Sequence, residues 1–496
     1  MNLIGVPVLK FDNSYGRLGD AFSTPVAPTP VVQPSLVKLN RALAADLDID
    51  VDAFDPEAWA EILSGNRMLR GAASLAMAYA GHQFGNFVPQ LGDGRAVLLG
   101  EIIDSAGVRR DVQLKGAGRT PFSRGGDGRA ALGPMLREYL ISEAMHALGV
   151  PTTRALAVVT TGEPVYRETE LPGAILTRVA AGYVRVGTFQ YFAARQDDAA
   201  LKQLADYVIT RHYPDIAEAP NPYLTLLASV ADRQASLVAQ WLLVGFIHGV
   251  MNTDNMALSG ETIDYGPCAF MDEYDPATVF SSIDHAGRYA YANQPGIAQW
   301  NLARLAECLL PLIDFDRKKA VAAATEVLEG FSNRFRDYWR GGMRRKLGLS
   351  SAQPGDAALI DGLLDIMREN RADFTLTFRR LCAAACGPEG DADVRALFAD
   401  PAAYDGWAAQ WRARLSEESR TPDQVERSML RVNPAVIPRN HVVEQALAAA
   451  ERNGDFAPFE RLLEALSSPY AEPENARELM LPPNPEERVR QTFCGT

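Results

Sequence analysis

The spacing of apolar residues changes near residue 197, and this change constrains the fold more than any other feature of the sequence. Before it, apolar runs bounded by turn residues predict strands over 96–103 and 108–115, followed by a helix over 134–148. After it, helical spacing predominates. A strand-rich section followed by a helix-rich section predicts an α+β fold with two lobes.

Shorter patterns add further expected elements. Gly162-Glu163-Pro164 between two short apolar runs predicts a hairpin turn, and residues 174–179 predict another strand. Helical spacing predicts further helices over 36–47, 56–65, 199–211, 223–249, 299–312, 316–341 and 357–369. The Pro-rich start of residues 482–496 predicts an extended, mobile tail.

Composition narrows the class of protein. The chain has 496 residues, of which 47% are hydrophobic and 22% charged, as in a globular protein with room for two or three domains. A net charge of −13 gives it no general attraction to nucleic acid or anionic lipid, so we expect neither partner. The first residues lack a secretory signal pattern, and the most apolar stretch, 237–251, is too short to span a bilayer.

The cysteines and histidines predict no zinc site, because the six histidines have no matching cysteine or carboxylate spacing. Five irregularly spaced cysteines favour a reducing compartment, so we expect a cytoplasmic protein. Separately, we expect a monomer. Cys494 lies on the predicted tail, and Cys268 closely follows Asp264-Tyr265-Gly266. A redox pairing of these two thiols is a hypothesis from their placement.

The segment from His248 to Asn255, followed by Asp264-Tyr265-Gly266, has the outline of a protein kinase catalytic loop and metal motif. A kinase loop is H-R-D-x-x-x-x-N, with D-F-G further along the chain. The histidine, the final asparagine and the D-x-G are present, whereas Val250 replaces the kinase catalytic aspartate. The pattern predicts nucleotide binding with chemistry other than ordinary phosphorylation.

Asn255 and Asp264 offer the hard oxygen ligands that Mg²⁺ and Mn²⁺ take, with nucleotide phosphates completing the shell. Alternatively, Asn255 caps a turn and Asp264 occupies a β-turn, but the two residues together favour a metal site. Asp254 is the best candidate for a general base, since a nearby cation keeps a carboxylate ionised. The alternative is that Asp254 only orients the loop.

Basic residues could neutralise the phosphates. Lys115 ends a predicted strand, and Glu138 in the next helix could pair with it and hold the ammonium group towards a phosphate. A purely structural salt bridge is the alternative. Arg178 and Arg185 flank a turn and suit bidentate phosphate contacts, although their spacing fits two surface arginines equally well.

Two glycine-rich segments could let backbone N–H groups approach a phosphate. The first is Leu91-Gly92-Asp93-Gly94-Arg95, which lacks the third glycine of G-x-G-x-x-G. The second is Ser123-Arg124-Gly125-Gly126-Asp127-Gly128-Arg129, which lies before a predicted helix. Either segment could instead be a simple turn.

Together these motifs resemble the selenoprotein O family of protein kinase-like adenylyltransferases over most of the chain. The strings that carry the resemblance are long and therefore specific: Ala80-Gly81-His82-Gln83-Phe84-Gly85, Gln90-Leu91-Gly92-Asp93-Gly94-Arg95-Ala96, Leu114-Lys115-Gly116-Ala117-Gly118, Arg119-Thr120-Pro121-Phe122-Ser123-Arg124, Gly126-Asp127-Gly128-Arg129, His248 to Asn255, Asp264-Tyr265-Gly266-Pro267, and Asn433-Pro434 through Pro438-Arg439-Asn440-His441. The ending Thr492-Phe493-Cys494-Gly495-Thr496 also looks like that of bacterial members. Cys494 sits where some eukaryotic relatives place selenocysteine.

The resemblance implies a kinase-like fold in which ATP binds flipped, with the γ-phosphate inward and the α-phosphate facing the acceptor. It implies that Asp254 accepts a proton, that Asn255 and Asp264 hold Mg²⁺ or Mn²⁺, and that Glu138 pairs with Lys115. It also implies nucleotide-binding roles for a larger set: Gly92, Gly94, Arg95, Lys115, Asp127, Gly128, Arg178, Arg185 and Asp264.

The implied reaction is transfer of AMP from ATP to Ser, Thr or Tyr hydroxyls of other proteins, with release of pyrophosphate. UMP transfer from UTP, kinase-type phosphoryl transfer and a nucleotide-sensing scaffold without turnover are the alternatives. We expect an N-terminal extension over 1–89, a nucleotide-binding lobe over 90–185 and a helical lobe with the catalytic loop over 186–390. A C-terminal helical extension over 391–481 and a mobile tail with Cys494 over 482–496 would complete the chain.

Overall fold

The computed structural model describes residues 10–493. The strands in this range are β1 (Ser23–Pro25), β2 (Ser35–Leu39), β3 (Leu75–Met77), β4 (Gly81–Gln83), β5 (Asn86–Val88), β6 (Ala96–Ile103), β7 (Arg109–Lys115), β8 (Ala130–Ala131), β9 (Arg154–Tyr166), β10 (Glu170–Ala180), β11 (Phe246–Ile247) and β12 (Ala269–Phe270). The helices are α1 (Arg41–Asp46), α2 (Pro56–Leu63), α3 (Leu132–Ala147), α4 (Val186–Ala193), α5 (Asp198–His212), α6 (Pro222–Leu243), α7 (Gln294–Ile313), α8 (Arg317–Glu329), α9 (Phe331–Lys346), α10 (Asp356–Asn370), α11 (Phe374–Ala384), α12 (Asp391–Arg395), α13 (Pro401–Leu415), α14 (Pro422–Leu430), α15 (Asn440–Asn453) and α16 (Ala457–Leu466).

One antiparallel sheet dominates the first part of the chain. Within residues 10–493 it has eight strands, in the order β1-β3-β6-β7-β10-β9-β2, with β8 beside β10. The strands predicted over 96–103 and 108–115 are confirmed as β6 and β7, and the predicted helix over 134–148 is confirmed as α3. The sheet and the helices that follow it confirm a mixed α/β class, whereas the two-lobed arrangement stays a prediction.

Strands β1 to β3 of the N-terminal residues belong to this sheet, although the sequence predicted helices and no strand there. β2 pairs with the edge of β9, and β3 pairs with β6. The predicted helix over 36–47 is therefore wrong in its first part. Residues 35–39 pair as a strand, and the helix begins only where the Asn40 side chain accepts a hydrogen bond from the Leu43 N–H.

The sheet is covered on both faces because successive side chains of a strand point to opposite sides. Val97 and Leu99 of β6 pack in one core with residues of α1 and α2, such as Trp59. Leu98, between them, packs in the other core with α3 residues such as Leu136. α3 thus lies on the face opposite α1 and α2, where Glu138 can reach the strands.

The predicted helix over 223–249 is wrong in its last part, and the difference creates the loop that carries the predicted catalytic residues. α6 ends at Leu243, and Gly245 has a φ of +75°, a left-handed conformation that favours glycine. The chain then forms β11, which pairs with β12. The loop between these two short strands carries both predicted catalytic segments.

Two further expectations from the sequence are wrong. The predicted hairpin turn at Gly162-Glu163-Pro164 is a bulge inside β9, where the register against β10 shifts, and the turn follows Tyr166. Gly162, with a φ of +71°, permits this bulge. The single helix predicted over 316–341 is two helices, α8 and α9, separated at Gly330. Glycine has a low helix propensity, which favours a break there.

The C-terminal helices are joined to β12 and to the segment after it by buried polar contacts. Arg439 Nη1 lies 2.6 Å from Asp373 Oδ2 and 2.7 Å from Asp272 Oδ1. The Asn440 side chain accepts from the Phe270 N–H and donates to the Phe270 carbonyl. Among the helices of residues 10–493, none combines the length and the apolar run that crossing a bilayer requires.

The predicted mobile tail runs along the metal-motif segment as far as Phe493. The Thr492 hydroxyl donates to the Pro267 carbonyl at 2.6 Å, and the Thr492 N–H donates to the Phe280 carbonyl at 2.7 Å. These bonds connect the tail to the rest of the structure at Thr492, and the mobility of the tail stays a prediction. Cys494 lies outside the described residues.

Candidate active site

A cavity of about 410 Å³ lies where the sheet meets the β11–β12 loop. It is lined by Tyr79, Gln83, Phe84, Asp93, Gly94, Arg95, Ala96, Lys115, Arg124, Arg178, Arg185, Val250, Asn252, Asp254, Asn255, Asp264, Gly266, Pro267 and Ile283. Eight residues singled out in the sequence are thereby brought together: Gly94, Arg95, Lys115, Arg178, Arg185, Asp254, Asn255 and Asp264. Segments far apart in sequence thus share one polar site.

Strand register explains how the cations enter this site. Arg178 of β10 lies opposite Gln113 of β7, and Lys115 follows two residues later on the same face of β7. Arg178 Nε donates to Gln113 Oε1 at 2.8 Å, which fixes the direction of the guanidinium group. Arg185 precedes the first turn of α4. Because strand pairing and the hydrogen bond to Gln113 fix the position of Arg178 next to Lys115, these charges are preorganised.

Three buried cations converge on Asp264. Lys115 Nζ lies 3.0 Å and Arg178 Nη1 2.5 Å from Asp264 Oδ1, and Arg185 Nη1 lies 3.2 Å from Oδ2. Glu138 of α3 accepts from Lys115 at 2.5 Å and from Arg178 at 2.9 Å. The three cationic side chains are 8%, 4% and 2% exposed, in that order. The cavity is lined by three carboxylates, those of Asp93, Asp254 and Asp264, and Glu138 adds a fourth behind them. Five cationic side chains line it: Arg95, Lys115, Arg124, Arg178 and Arg185. One positive charge therefore remains in excess, which suits an anion.

Asp264 is held as a charged carboxylate in a constrained backbone conformation. Its φ of +60° is uncommon for a residue other than glycine, and such conformations often occur at functional sites. Burial opposes its ionisation, but the charges of Arg178, Lys115 and Arg185 outweigh burial and hold the pKa of Asp264 well below its usual range. Asp264 can therefore serve as an anionic ligand at neutral pH.

Asp254 and Asn255 lie on a 3-10 turn, Thr253–Asn255, after β11. Asn255 Nδ2 donates to the Val250 carbonyl at 3.0 Å, which orients the amide, and Arg185 Nη1 donates to the Asp254 carbonyl at 2.8 Å. Burial raises the pKa of Asp254 to about 6, against the opposing charge of Arg185. A carboxyl group with a pKa near neutrality suits proton transfer.

His248 supports the loop from behind. Its Nε2 lies 3.0 Å from the Ile263 carbonyl, and its N–H donates to Gln294 Oε1 at 3.0 Å. Burial lowers the pKa of His248, so the ring is neutral at physiological pH. This histidine links the loop to the residue directly before Asp264.

The donor set at the cavity fits a divalent cation. Asp264 Oδ2 accepts from Arg185 alone, so it has a lone pair left for a cation, and Asn255 has its amide oxygen left because its amide nitrogen donates to Val250; Mg²⁺ and Mn²⁺ favour such oxygen ligands. No cluster of three or more His, Cys, Asp or Glu residues that could hold a metal occurs within residues 10–493. A two-ligand site completed by substrate phosphates is the arrangement that these residues allow.

Three predicted nucleotide-binding residues do not line the cavity. Gly92 packs against Phe122, and a Cβ at Gly128, whose φ is +69°, would lie 2.0 Å from the Gly118 carbonyl oxygen. Asp127 pairs with Arg167 at 2.8 Å, and its hydrogen bonds with this guanidinium lower the pKa of Asp127. The nucleotide-binding roles of Gly92, Asp127 and Gly128 stay predictions.

The site also contains residues that sequence reasoning missed. Tyr79 lies under Arg185, whose guanidinium carbon is 4.4 Å from its ring centroid. Arg124 lies in one of the motifs that resemble the selenoprotein O family, so that motif could have identified it as a candidate. Gln83 and Phe84 also lie in such a motif, yet nothing local in the sequence directs them to the catalytic loop.

The predicted redox pair is only partly within the structure. Cys268 is buried one residue after Pro267, to which the tail is hydrogen-bonded through Thr492. The tail therefore carries its last described residues close to Cys268. Because Cys494 lies beyond these residues, the pairing stays a prediction.

Comparisons with known proteins identify the family of this chain. The family model described as "Protein adenylyltransferase SelO" matches residues 6–467. A protein nucleotidyltransferase YdiU of Rhizobium rhizogenes (strain K84) is 59% identical over 494 residues, covering 100% of this chain and 98% of the relative. A protein of the same name from Bradyrhizobium sp. (strain ORS 278) is 61% identical over 487 residues, covering 98% of this chain and 99% of the relative. The chain therefore belongs to the SelO family of protein adenylyltransferases, and it is an enzyme of the nucleotidyltransferase class.

Proposed function

We propose that this enzyme transfers AMP from ATP to Ser, Thr or Tyr hydroxyls of other proteins and releases pyrophosphate. The observation that carries the proposal is the convergence of Lys115, Arg178 and Arg185 on Asp264 inside the cavity. A triphosphate can neutralise the excess positive charge there, and the buried carboxyl of Asp254 is close enough to share the same cavity.

The burial of the cations supports a flipped ATP. Arg178 and Arg185 are the least exposed of the three cations, with side chains 4% and 2% exposed. The terminal phosphates carry most of the charge of ATP, so they gain most from these two arginines. With the γ-phosphate bound deep, the α-phosphate is left towards the acceptor.

The reaction needs one proton transfer. The acceptor oxygen attacks the α-phosphorus, and the bond from this phosphorus to the oxygen that bridges to the β-phosphate breaks. Pyrophosphate leaves with the bonding electron pair and is stabilised by the preorganised cations. Asp254 accepts the proton of the hydroxyl group.

The remaining parts of the proposal concern the metal and the architecture. Asn255 and Asp264 would hold Mg²⁺ or Mn²⁺, which would neutralise phosphate charge when bound. We also propose that residues 90–185 and 186–390 correspond to the two lobes of a kinase-like fold, with a monomer as the working unit. The negative net charge supports proteins rather than nucleic acids as partners.

The test compares ATP labelled on the α-phosphate with ATP labelled on the γ-phosphate. We expect protein-bound label from the α position only and a mass gain of one AMP on modified proteins. Asp254→Asn and Lys115→Ala should each reduce labelling by about 100-fold or more. Asp361→Asn, an exposed change on α10, is the control. Label from the γ position alone would replace the proposal with a kinase reaction, and greater transfer from UTP would replace AMP with UMP.

A further inference from the structure

The hairpin formed by β4 and β5 lies against the catalytic loop. Gly81, His82 and Gln83 pair with Val88, Phe87 and Asn86, and the turn residues Phe84 and Gly85 have φ values of +51° and +84°. Positive φ at both turn positions is typical of a tight type I′ turn, whose twist matches that of the two paired strands. The turn and the strand pairing therefore fix the register in which the hairpin meets the loop.

Three successive hairpin residues contact three successive residues of the loop. The His82 N–H donates to Thr253 Oγ1 at 2.7 Å, and the Phe84 N–H donates to Asn252 Oδ1 at 3.0 Å. Between these two bonds, Gln83 Nε2 donates to Asp254 Oδ2 at 3.3 Å. The side-chain amide of Gln83 is thus the hairpin group that reaches the candidate base.

A second set of contacts closes this arrangement. The Thr253 hydroxyl donates to Gln190 Oε1 at 2.6 Å, and Gln190 Nε2 lies 2.7 Å from His82 Nδ1. His82, Thr253 and Gln190 thus form a ring of hydrogen bonds that joins the hairpin, the loop and α4. Loop and hairpin cannot shift relative to each other without breaking it.

The other oxygen of Asp254 packs against glycine. A Cβ at Gly81 would lie 2.7 Å from Asp254 Oδ1. Gly81 has no positive φ, so only space excludes a side chain there. The Asp254 carboxyl is therefore fixed by a hydrogen bond on one oxygen and by close packing on the other.

We propose that the β4–β5 hairpin is a working part of the active site, in which Gln83 is a positioning residue that sets the orientation of the Asp254 carboxyl and Gly81 provides its space. This inference rests on the proposed function, because it assigns the hairpin to the proton-accepting step. The amide of Gln83 touches Asp254 rather than the cations that would hold the phosphates. Its loss should therefore slow transfer and leave nucleotide binding intact.

The test uses two variants of the full-length enzyme. Gln83→Met keeps the length of the side chain and removes the donor, and Gly81→Ala adds one methyl group beside Asp254. We expect kcat for AMP transfer to fall about tenfold in Gln83→Met and about 100-fold in Gly81→Ala, since small misplacements of a catalytic group have effects of this size. KM for ATP should stay within about threefold of the wild-type value.

Matched controls lie together on α13. Gln410→Met and Gly406→Ala make the same two chemical changes at an exposed glutamine and at a glycine with open space around it. Both controls should transfer AMP at the wild-type rate. Equal kcat values for Gln83→Met, Gly81→Ala and wild type would overturn the inference, as would a loss that appears only as a raised KM for ATP. Absence of AMP transfer by the wild-type enzyme would instead contradict the proposed function.

Discussion

Replacing Lys346 by methionine should stabilise the protein. Lys346 ends α9 with a residue exposure of 2%, and its Nζ lies 4.4 Å from the ring centroid of Phe378 and 5.6 Å from that of Phe374. Among the ion pairs within residues 10–493, none includes this amine. A buried ammonium group normally requires a carboxylate, and the two aromatic faces compensate only part of its burial.

The magnitude follows from the pKa of this lysine. Burial lowers the pKa of Lys346 from an ordinary 10.5 to about 7. At pH values between these two pKa values, Lys346 is protonated in the unfolded chain but not in the folded protein. The free energy of unfolding should therefore rise with pH from about 7 to about 10. A pH of 7.5 is about three units below the pKa of this lysine in the unfolded chain. At about 1.4 kcal/mol per unit, burying Lys346 therefore lowers the free energy of unfolding by on the order of 4 kcal/mol.

The assay is thermal and denaturant unfolding of wild type and Lys346→Met between pH 6 and about 10. The variant, whose side chain is of similar length and uncharged, should melt at a higher temperature at pH 7.5. The gap between the two proteins should narrow towards pH 10. Lys319→Met, at an exposed position on α8, controls for the loss of a surface charge. A constant gap across the pH range, or a less stable variant, would refute the reasoning.

Three further outcomes are expected. Glu138→Gln removes the carboxylate that Lys115 and Arg178 share, so AMP transfer should fall about 100-fold in a rate assay, with Glu138→Asp recovering part of it. Arg439→Met leaves Asp373 buried without its cation, so denaturant unfolding should show a loss of about 3–5 kcal/mol; an unchanged midpoint would contradict this. Mild oxidation followed by mass spectrometry of unreduced peptides should show a Cys268–Cys494 link, which reduction removes.

The residues proposed to contact phosphates and metal could largely be predicted because such chemistry restricts residue type. A carboxylate in a D-x-G motif and a lysine at the end of a strand are recognisable within short strings. The structure brings Lys115, Asp254, Asn255 and Asp264 into one cavity. Their roles stay predictions, but their proximity agrees with the sequence patterns.

The parts that could not be predicted depend on contacts between distant segments. Gln83 is an ordinary half-buried residue of a short strand until the chain places it beside Asp254. Residues 35–39 have a pattern compatible with a helix, and only the free edge of β9 makes them a strand. Gly162 is a residue type typical of turns, yet it lies in a bulge because β9 pairs with β10 on both sides of it. Local propensity cannot distinguish these outcomes, since the deciding partner lies far along the chain.

The contact between the sheet cations and Asp264 has a consequence for biosynthesis. The ribosome makes Lys115 and Arg178 well before Asp264, so the nascent chain cannot complete the charge cluster while these two residues alone have emerged. Asn440, whose side chain donates a hydrogen bond to the Phe270 carbonyl, is synthesised later still. Glu138 can compensate part of the charge of Lys115 and Arg178 early, but the full cluster around Asp264 can form only in the second half of translation.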